Sequence, residues 1–418
     1  MSSTIATNPI RPGTPLTLSR RTSFWVAAAV AAHTLWTSAA PAMTYPLYAA
    51  QWRLTPTLTT GIFAIYPVTV VLVLVLLGNL SDQIGRRNTL LMGVGASLLG
   101  TLLFALAPNV AWVFAGRVAM GVGVGLSASP ASAALVEFSA AGQAQRAGVV
   151  NTAATALGMA LATLVGGALI TYAPFPTHLN FWVLAAVLAL VFGLTWLLPR
   201  DGKLAAFRWQ PTRVTVPKSL VRPFATSAIA VTAAYSMGAI YLSLGAQIAH
   251  DLIGSKNALV TGAAMALFAL VTGIVAVSAK RLPSQTSVVW GGLASASGMA
   301  LLALAAAWHA LPVFLLAVVM AGAAYSLLFL GGLTLINAHA PAHHRAGTLS
   351  AIYLIGYLLM GAIALTLGMV ATRHGLAGAL QVGTPTIAAL GLASVGLGRL
   401  RLARTPGAIA VATSGGNS

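Results

Sequence analysis

Long apolar runs alternate with short polar breaks along the whole chain, and the runs share one length. Divided at Pro, Gly and charged positions, they fall near 24–50, 58–79, 89–107, 110–137, 147–172 and 179–198, then 223–249, 257–278, 288–308, 311–338, 346–371 and 377–398. Each is near or above the roughly 20 residues that cross a bilayer core at 1.5 Å rise per residue. The pattern predicts an all-α polytopic membrane protein with twelve transmembrane helices. The longest polar connection, 199–222, carries Arg200, Lys203, Arg208, Arg213, Lys218 and Arg222 and separates six runs from six. The predicted organisation is an arm at 1–23, a first six-helix unit at 24–198, the basic linker at 199–222, a second unit at 223–398 and a tail at 399–418. The first run has the outline of a signal peptide, with a basic flank and the small-residue stretch Ser38-Ala39-Ala40-Pro41-Ala42. Its apolar character continues past that stretch, and removing it would leave an odd number of spans, so it is read as the first span.

Composition sharpens this picture. Hydrophobic residues make up 58% and charged residues 6% of the 418 positions, with a mean hydropathy of +0.89. A soluble domain carries about 25% charged residues, so a water-facing surface cannot be built from this chain. With no cysteine, disulfides and thiolate metal sites are excluded.

The net charge of +18 invites a nucleic-acid reading, and the placement of the cations answers it. If the N-terminus is cytoplasmic, the inside segments hold Arg11, Arg20, Arg21, Arg86, Arg87, Arg146, the six linker cations, Lys280, Arg281, Arg345, Arg399, Arg401 and Arg404. The outside turns hold Arg53, Lys256 and Arg373, and Arg117 falls within a span. By the positive-inside rule this places both termini in the cytoplasm, with the cations as topology signals beside anionic headgroups rather than contacts for nucleic acid. The lipid bilayer and a small-molecule substrate are the expected partners, a monomer the expected state, and the short loops suggest a bacterial-type inner (plasma) membrane.

A repeat supports the division into halves. Arg146-Ala147-Gly148 opens the fifth run and Arg345-Ala346-Gly347 the eleventh, 199 positions later. The same offset lays Gly78–Arg87 over Val277–Thr286, where Asp82 is matched by Arg281 and Gly85 by Ser284. Equivalent turns at one offset predict two six-helix bundles related by an axis along the membrane normal.

The turn Gly78-x-Leu80-Ser81-Asp82-x-x-Gly85-Arg86-Arg87 resembles the signature between helices 2 and 3 of the major facilitator superfamily. Twelve spans, a 6+6 repeat and a basic middle loop match that superfamily over nearly the whole chain. The resemblance implies a V-shaped pair of bundles around a central cavity, with alternating access by rocking of the halves. Arg117-Val118-Ala119-Met120-Gly121-Val122-Gly123-Val124-Gly125 is similar to the helix-4 motif of its drug and metabolite exporters. The helix-5 motif of drug/proton antiporters is present in part: Gly166-Gly167 closes Gly158–Gly167, but Ala162-Thr163 stands where Gly-Pro would be.

On this resemblance the gating residues are Gly78, Asp82, Gly85, Arg86 and Arg87. Asp82, near the start of the third helix or beside a helix end of the other bundle, would be held by a helix dipole and by arginine pairing. The plain alternative is a turn whose arginines are topology anchors. Glu137 and Arg146 are expected in the same surface network. Arg117 within a span costs about 2.5–3.5 kcal/mol on insertion scales, so it should face the interior or water. It either binds a substrate anion or tunes a neighbour's proton affinity, or else it packs helices through backbone carbonyls. His33, close to mid-membrane with Trp36 one turn on, either carries a proton or hydrogen-bonds as a neutral ring to another helix. Pro41 and Pro46 should kink the helix beyond them.

The absent groups are informative. The acids are Asp82, Glu137, Asp201 and Asp251, all at helix ends or in loops. Without a carboxylate in the spans, a neutral or anionic substrate is expected, with Arg117 as the anion's partner. Tyr45, Tyr235, Tyr241, Gln247, Tyr325, Phe329 and Asn337, flanked by Tyr66, Asn151, Tyr353 and Tyr357, are candidates for an amphipathic pocket, and each is also a plausible packing or interface residue. The small-residue stretches read as close helix contacts. The expected function is secondary transport, in the manner of a proton-coupled exporter driven by a proton gradient and without a cofactor. The alternatives are an importer or exchanger of an organic anion or sugar in the same fold, and a membrane sensor that does not transport. No nucleophile–base pair or metal-ligand cluster at usable spacing points to an enzyme.

Overall fold

Backbone polar groups have no partners in hydrocarbon, so an apolar run of spanning length must close its hydrogen bonds internally as a helix. The computed structural model, which describes residues 18–140, 143–200, 216–252, 254 and 257–399, is built this way. The helices are α1 (Arg20–Ala39), α2 (Tyr45–Trp52), α3 (Pro56–Leu77), α4 (Leu80–Ile84), α5 (Arg86–Ala105), α6 (Val110–Phe138), α7 (Ala144–Tyr172) and α8 (Leu179–Trp196). After the linker come α9 (Val221–Gln247), α10 (Ala258–Ser278), α11 (Ser284–Trp308), α12 (Leu311–His339) and α13 (Ala342–Arg399). Most of the arm, the tail and residues 201–215 of the linker lie outside the described residues, as do Arg11, Lys203, Arg208, Arg213, Lys256, Arg401, Arg404 and Asp201.

Ten helices among the described residues are long and apolar enough to cross a membrane. Two features separate that number from the expected twelve. The first run supplies α1, which at 20 residues is long enough but is made less apolar by Arg20, Arg21, His33 and its Ser and Thr residues. Beyond α1 the run is broken: Pro41 cannot donate a helical hydrogen bond, a 3-10 turn spans Ala40–Met43, and the helix restarts at Tyr45 with Pro46 in its first turn. The last crossing helix, Gly347–Arg399, is 53 residues long, and Gly375 inside it takes φ 73°, ψ 173°. That backbone is not helical, so α13 is two helices merged across a kink, one before Gly375 and one after it.

Boundaries shift by a few residues from expectation, and one shift changes a residue's setting. The stretch Gly78–Arg87 is not a bare turn: Leu80–Ile84 forms α4, with Asp82 in its first turn, and α5 begins at Arg86. Asp82 is therefore one short helix away from the α5 N-terminus, separated from it by Gly85 at φ 90°, ψ 154°. Such a backbone is essentially confined to glycine. The matched turn of the second half solves the same problem differently. A 3-10 turn at Ala279–Arg281 leads into Pro283, whose φ of −55° and ψ of 138° start α11 without any positive φ.

The packing partners repeat. α5 packs on α6 and α8, while α11 packs on α12 and α13. α1 packs on α6 and α7, while α9 packs on α12 and α13. Among the described residues the most extensive contacts between the halves are α3 with α13 and α7 with α10, and α9 also meets α2, α3 and the turn at Ala40–Met43. Glycines set how close these helices come. A Cβ on Gly121 would stand 2.8 Å from the Thr69 side chain of α3, and one on Gly123 would stand 2.6 Å from the Gly93 carbonyl of α5, so the small-residue run of α6 serves two neighbours at once. Trp25, Trp196 and Trp290 are exposed near the basic ends of their helices, and Trp112, Trp182 and Trp308 near the opposite ends. Two such levels are the aromatic girdles of a bilayer-spanning protein.

Candidate functional site

At the basic face the α5 N-terminus gathers several charges. Arg86 Nε is 2.7 Å from Glu137 Oε2 at the end of α6. Arg87 donates through Nε to the Trp196 carbonyl at 3.0 Å and lies over the Trp196 indole, its Cζ 5.3 Å from the ring centre. Arg20 reaches the carbonyls of Glu137 and Ser139. Arg146 turns instead to Gln143 Oε1 and to the face of Phe24. Among the described residues Asp82 has no arginine partner: it is exposed, and the neighbouring guanidinium of Arg86 is engaged by Glu137. Ser81, Asp82, Gly85, Arg86 and Glu137 line an open crevice of about 470 Å³.

Arg117 on α6 is fully buried. Its Nη1 donates to the Ser38 carbonyl at 3.1 Å and its Nε to the Ile62 carbonyl at 3.4 Å. Both acceptors lie close to prolines, Ser38 just before the broken part of the first run and Ile62 one turn before Pro67 of α3. The guanidinium also lies over Tyr66, 4.6 Å from the ring centre, and near Phe63 at 5.9 Å. Its Nη2 and the hydroxyl of Tyr45 are buried beside one another as polar neighbours, and neither forms a hydrogen bond of ordinary geometry among the described residues. Arg117 thus ties α1, α3 and α6 together and retains one unused donor.

His33 faces α5, inside the first half. Its Nδ1 is 2.5 Å from the Val30 carbonyl and its Nε2 is 3.3 Å from Ser97 Oγ. An Nδ1–H donating to Val30 leaves Nε2 to accept from the serine hydroxyl. Trp36 is half-buried against the main apolar core.

The second half holds an aromatic cluster. Tyr235 on α9 stands 4.7 Å from Tyr357 on α13 and 5.6 Å from Phe329 on α12, measured between ring centres. Tyr325 stacks on Phe329 at 6.0 Å and meets Phe268 of α10 edge-on at 5.7 Å, and Tyr353 joins through Phe329 at 6.5 Å. Tyr66 of α3, in the first half, lies within electrostatic reach of Tyr325 and Tyr357. Tyr241 extends the cluster through Phe268 and also packs on Phe314, whereas Asn337 stands apart, exposed near the basic end of α12. Gln247 ends α9, buried, with Oε1 unbonded among the described residues.

A family model described as Major Facilitator Superfamily matches residues 25–365. The chain belongs to this superfamily. Such proteins are membrane transporters and not enzymes. Over 166 residues the chain is 31% identical to the multidrug efflux pump LfrA of Mycolicibacterium smegmatis, covering 38% of this chain and 33% of the pump. It is 30% identical over 183 residues to the methylenomycin A resistance protein of Streptomyces coelicolor, covering 43% of this chain and 37% of that protein. The chain therefore matches about a third of the length of these relatives. Among solved structures it is similar to the peptide transporter POT in complex with sulfate, with a TM-score of 0.72, 16% identity, and coverage of 91% of this chain and 92% of that one. At that identity the likeness is one of fold.

Within this major facilitator chain, sequence reasoning overlooked the polar links between the halves. Thr57 Oγ1 lies 2.8 Å from Thr372 Oγ1, and the Thr57 N–H donates to Thr372 Oγ1 at 3.0 Å. Across the other junction, Thr171 Oγ1 accepts from the Leu259 N–H at 3.1 Å and lies 3.4 Å from Asn257 Oδ1. Both links sit at the helix ends remote from the basic face. Threonine at a helix end is common, and nothing in its local sequence marks a partner some 300 residues away.

Proposed function

We propose that the chain is a secondary active transporter of a small, amphipathic, neutral or anionic molecule, working as an exporter by proton-coupled alternating access. The observation that carries this reading is the aromatic cluster of Tyr235, Tyr325, Phe329, Tyr353 and Tyr357, approached by Tyr66 at the junction of the halves. Among the described residues the carboxylates lie at helix ends or in turns, with Glu137 and Asp251 at the last residues of their spans, so none sits mid-span to pair with a cationic substrate. Rings bearing hydroxyls offer apolar faces with polar rims, which suits an amphipathic solute. The names of the efflux and resistance relatives support export.

On this reading α1 with α2, and the two limbs of α13, supply the crossings that complete twelve, and the matched packing pairs reflect two related six-helix bundles. The basic face is cytoplasmic. α3 with α13 and α7 with α10 are the surfaces along which the halves rock, and Gly78, Asp82, Gly85, Arg86, Arg87, Glu137 and Arg146 form the hinge-side gate on the cytoplasmic face. Arg117 Nη2, beside the Tyr45 hydroxyl, is the donor that an anionic group would engage. His33 is the proton carrier; a proton taken up at Nε2 turns its contact with Ser97 from accepting to donating, and water must reach this buried ring in another conformation to deliver it.

The decisive experiment is an unbiased substrate screen on cells lacking and overexpressing the chain, followed by proteoliposomes with an imposed pH gradient. The expected result is substrate-dependent proton flux, with substrate leaving against its gradient. A chain that moves no substrate under any gradient would overturn the reading, and flux of cationic substrates alone would overturn its charge assignment. Arg117→Ala should weaken anionic substrates selectively, whereas equal losses for neutral ones would remove the anion contact.

A further inference from the structure

On the basic face, the start of α5 and the ends of α6 and α8 enclose a small cavity distinct from the substrate cluster. Arg86, Arg87 and Leu90 line it from α5, Glu137 and Phe138 from α6, and Arg200 from beyond α8, with a volume of about 160 Å³. Among the described residues, three arginines and one glutamate line it, with Arg87 also held by the Trp196 carbonyl and Glu137 Oε2 bound by Arg86 Nε at 2.7 Å. Arg20 adds a fourth cation at the edge, donating to the Glu137 carbonyl at 3.2 Å. α5 contributes the positive end of its dipole, since its N-cap is Gly85 and no capping side chain occupies the position. The cavity thus has a surplus of positive charge enclosed between helices.

Its depth is marked independently. Trp196, the last residue of α8, is 57% exposed, and Trp25 near the start of α1 is 53% exposed. Exposed indoles at helix ends sit at headgroup level, so the cavity lies where lipid phosphates lie. The Arg87 guanidinium over the Trp196 ring connects the cavity to that lipid-facing surface.

We propose that this cavity binds the phosphate of an anionic phospholipid headgroup. A phosphodiester oxygen accepts charge-assisted hydrogen bonds from planar guanidinium groups, which recognise phosphate geometry in pairs. Basic pockets between helix ends at the membrane surface suit this ligand. The chemistry selects an anionic lipid over phosphatidylcholine, whose choline cation would meet the excess arginine charge. It selects a lipid over free phosphate, because acyl chains can lie along the exposed surface beside Trp196.

The test uses the full chain in detergent and native mass spectrometry of bound phosphatidylglycerol. Phosphatidylglycerol should be retained and phosphatidylcholine at equal concentration should not. Arg200→Gln, at an exposed position beyond α8 that folding does not depend on, should weaken retention about fivefold, and Arg87→Gln with Arg200→Gln roughly 25-fold, on the scale of one basic side chain at an anionic surface. Lys280→Gln with Arg281→Gln, at the matched turn of the second half, should leave retention unchanged. The proposal fails if Arg200→Gln binds phosphatidylglycerol like the parent, or if the Lys280/Arg281 pair loses binding equally, which would mean diffuse surface charge. It also fails if inorganic phosphate displaces phosphatidylglycerol, which would make the site one for free phosphate.

Discussion

Arg117 and Gly85 carry the clearest demands of any single residues. Arg117 is buried without a carboxylate partner, and its stabilisation comes from two backbone carbonyls and two ring faces. Hydrogen bonds from a charged group contribute about 1.5–3 kcal/mol each, so Arg117→Ala should destabilise the protein by on the order of 3 kcal/mol, read as a lower melting temperature of the purified chain. Arg117→Lys should recover little of this, since one ammonium cannot reproduce the planar fork that reaches Ser38 and Ile62 together. At Gly85, φ of 90° with ψ of 154° strains any side chain. Gly85→Ala should cost about 1–3 kcal/mol in thermal unfolding, whereas Ser284→Ala at the matched position should be near neutral because Pro283 leads into α11 through ordinary extended backbone. His33→Gln keeps a hydrogen-bonding group opposite Ser97 and removes the titrating ring. Substrate-driven proton flux should be lost in that variant, and retained flux would reduce His33 to a packing residue.

The element scale is where the two halves meet. Gly368 packs so closely on the start of α3 that a Cβ there would come within 2.9 Å of the Pro56 carbonyl, and Gly167 and Gly262 bring α7 and α10 together in the same manner. Thr57 with Thr372, and Thr171 with Asn257, close these contacts at the face remote from the arginines. That closure uses neutral hydroxyls and glycines, while the opposite face uses charges. The absence of cysteine makes a clean test available. Thr57→Cys with Thr372→Cys should form a disulfide under oxidation, hold this face shut and stop transport, with activity restored by reductant. Oxidation that forms the bond without arresting transport would show that α3 and α13 need not separate here.

For the molecule as a whole, charge and aromatic placement agree about the membrane. The cations gather at one set of helix ends, and exposed tryptophans mark two levels on the helices. Single-cysteine labelling at the ends of α6 from either side of sealed vesicles checks the orientation: a cysteine at Ala140 should react from the cytoplasmic side and one at Pro108 from the other. The repeat also reads differently at this scale. The first copy of the signature turn builds a crevice with two acids and an arginine, whereas the second places Lys280 and Arg281 beside an inter-helix cavity lined also by Gln145 and Thr152 of α7. The matched turns therefore differ in their electrostatics, one with acids beside its arginine and the other with cations alone.

Sequence alone determined the helical membrane class, the positions of most helices and the family resemblance. These follow from local quantities: an apolar run of spanning length must be a helix, and a glycine-punctuated charged turn between two such runs is a rare local pattern. It also indicated that Arg117 needs an interior setting, because nothing near it in the chain could neutralise it. Partners were decided by tertiary structure. Glu137 took Arg86 while Asp82 stayed exposed, Ser97 met His33, and Tyr235, Tyr325, Phe329, Tyr353 and Tyr357 came together while Asn337 did not. The physical reason is that nearly uniform apolar helices carry little record of which face meets which neighbour. Their rotation and pairing are set by glycine notches, proline breaks and a few polar atoms, whose fit exists only once all the helices are in place.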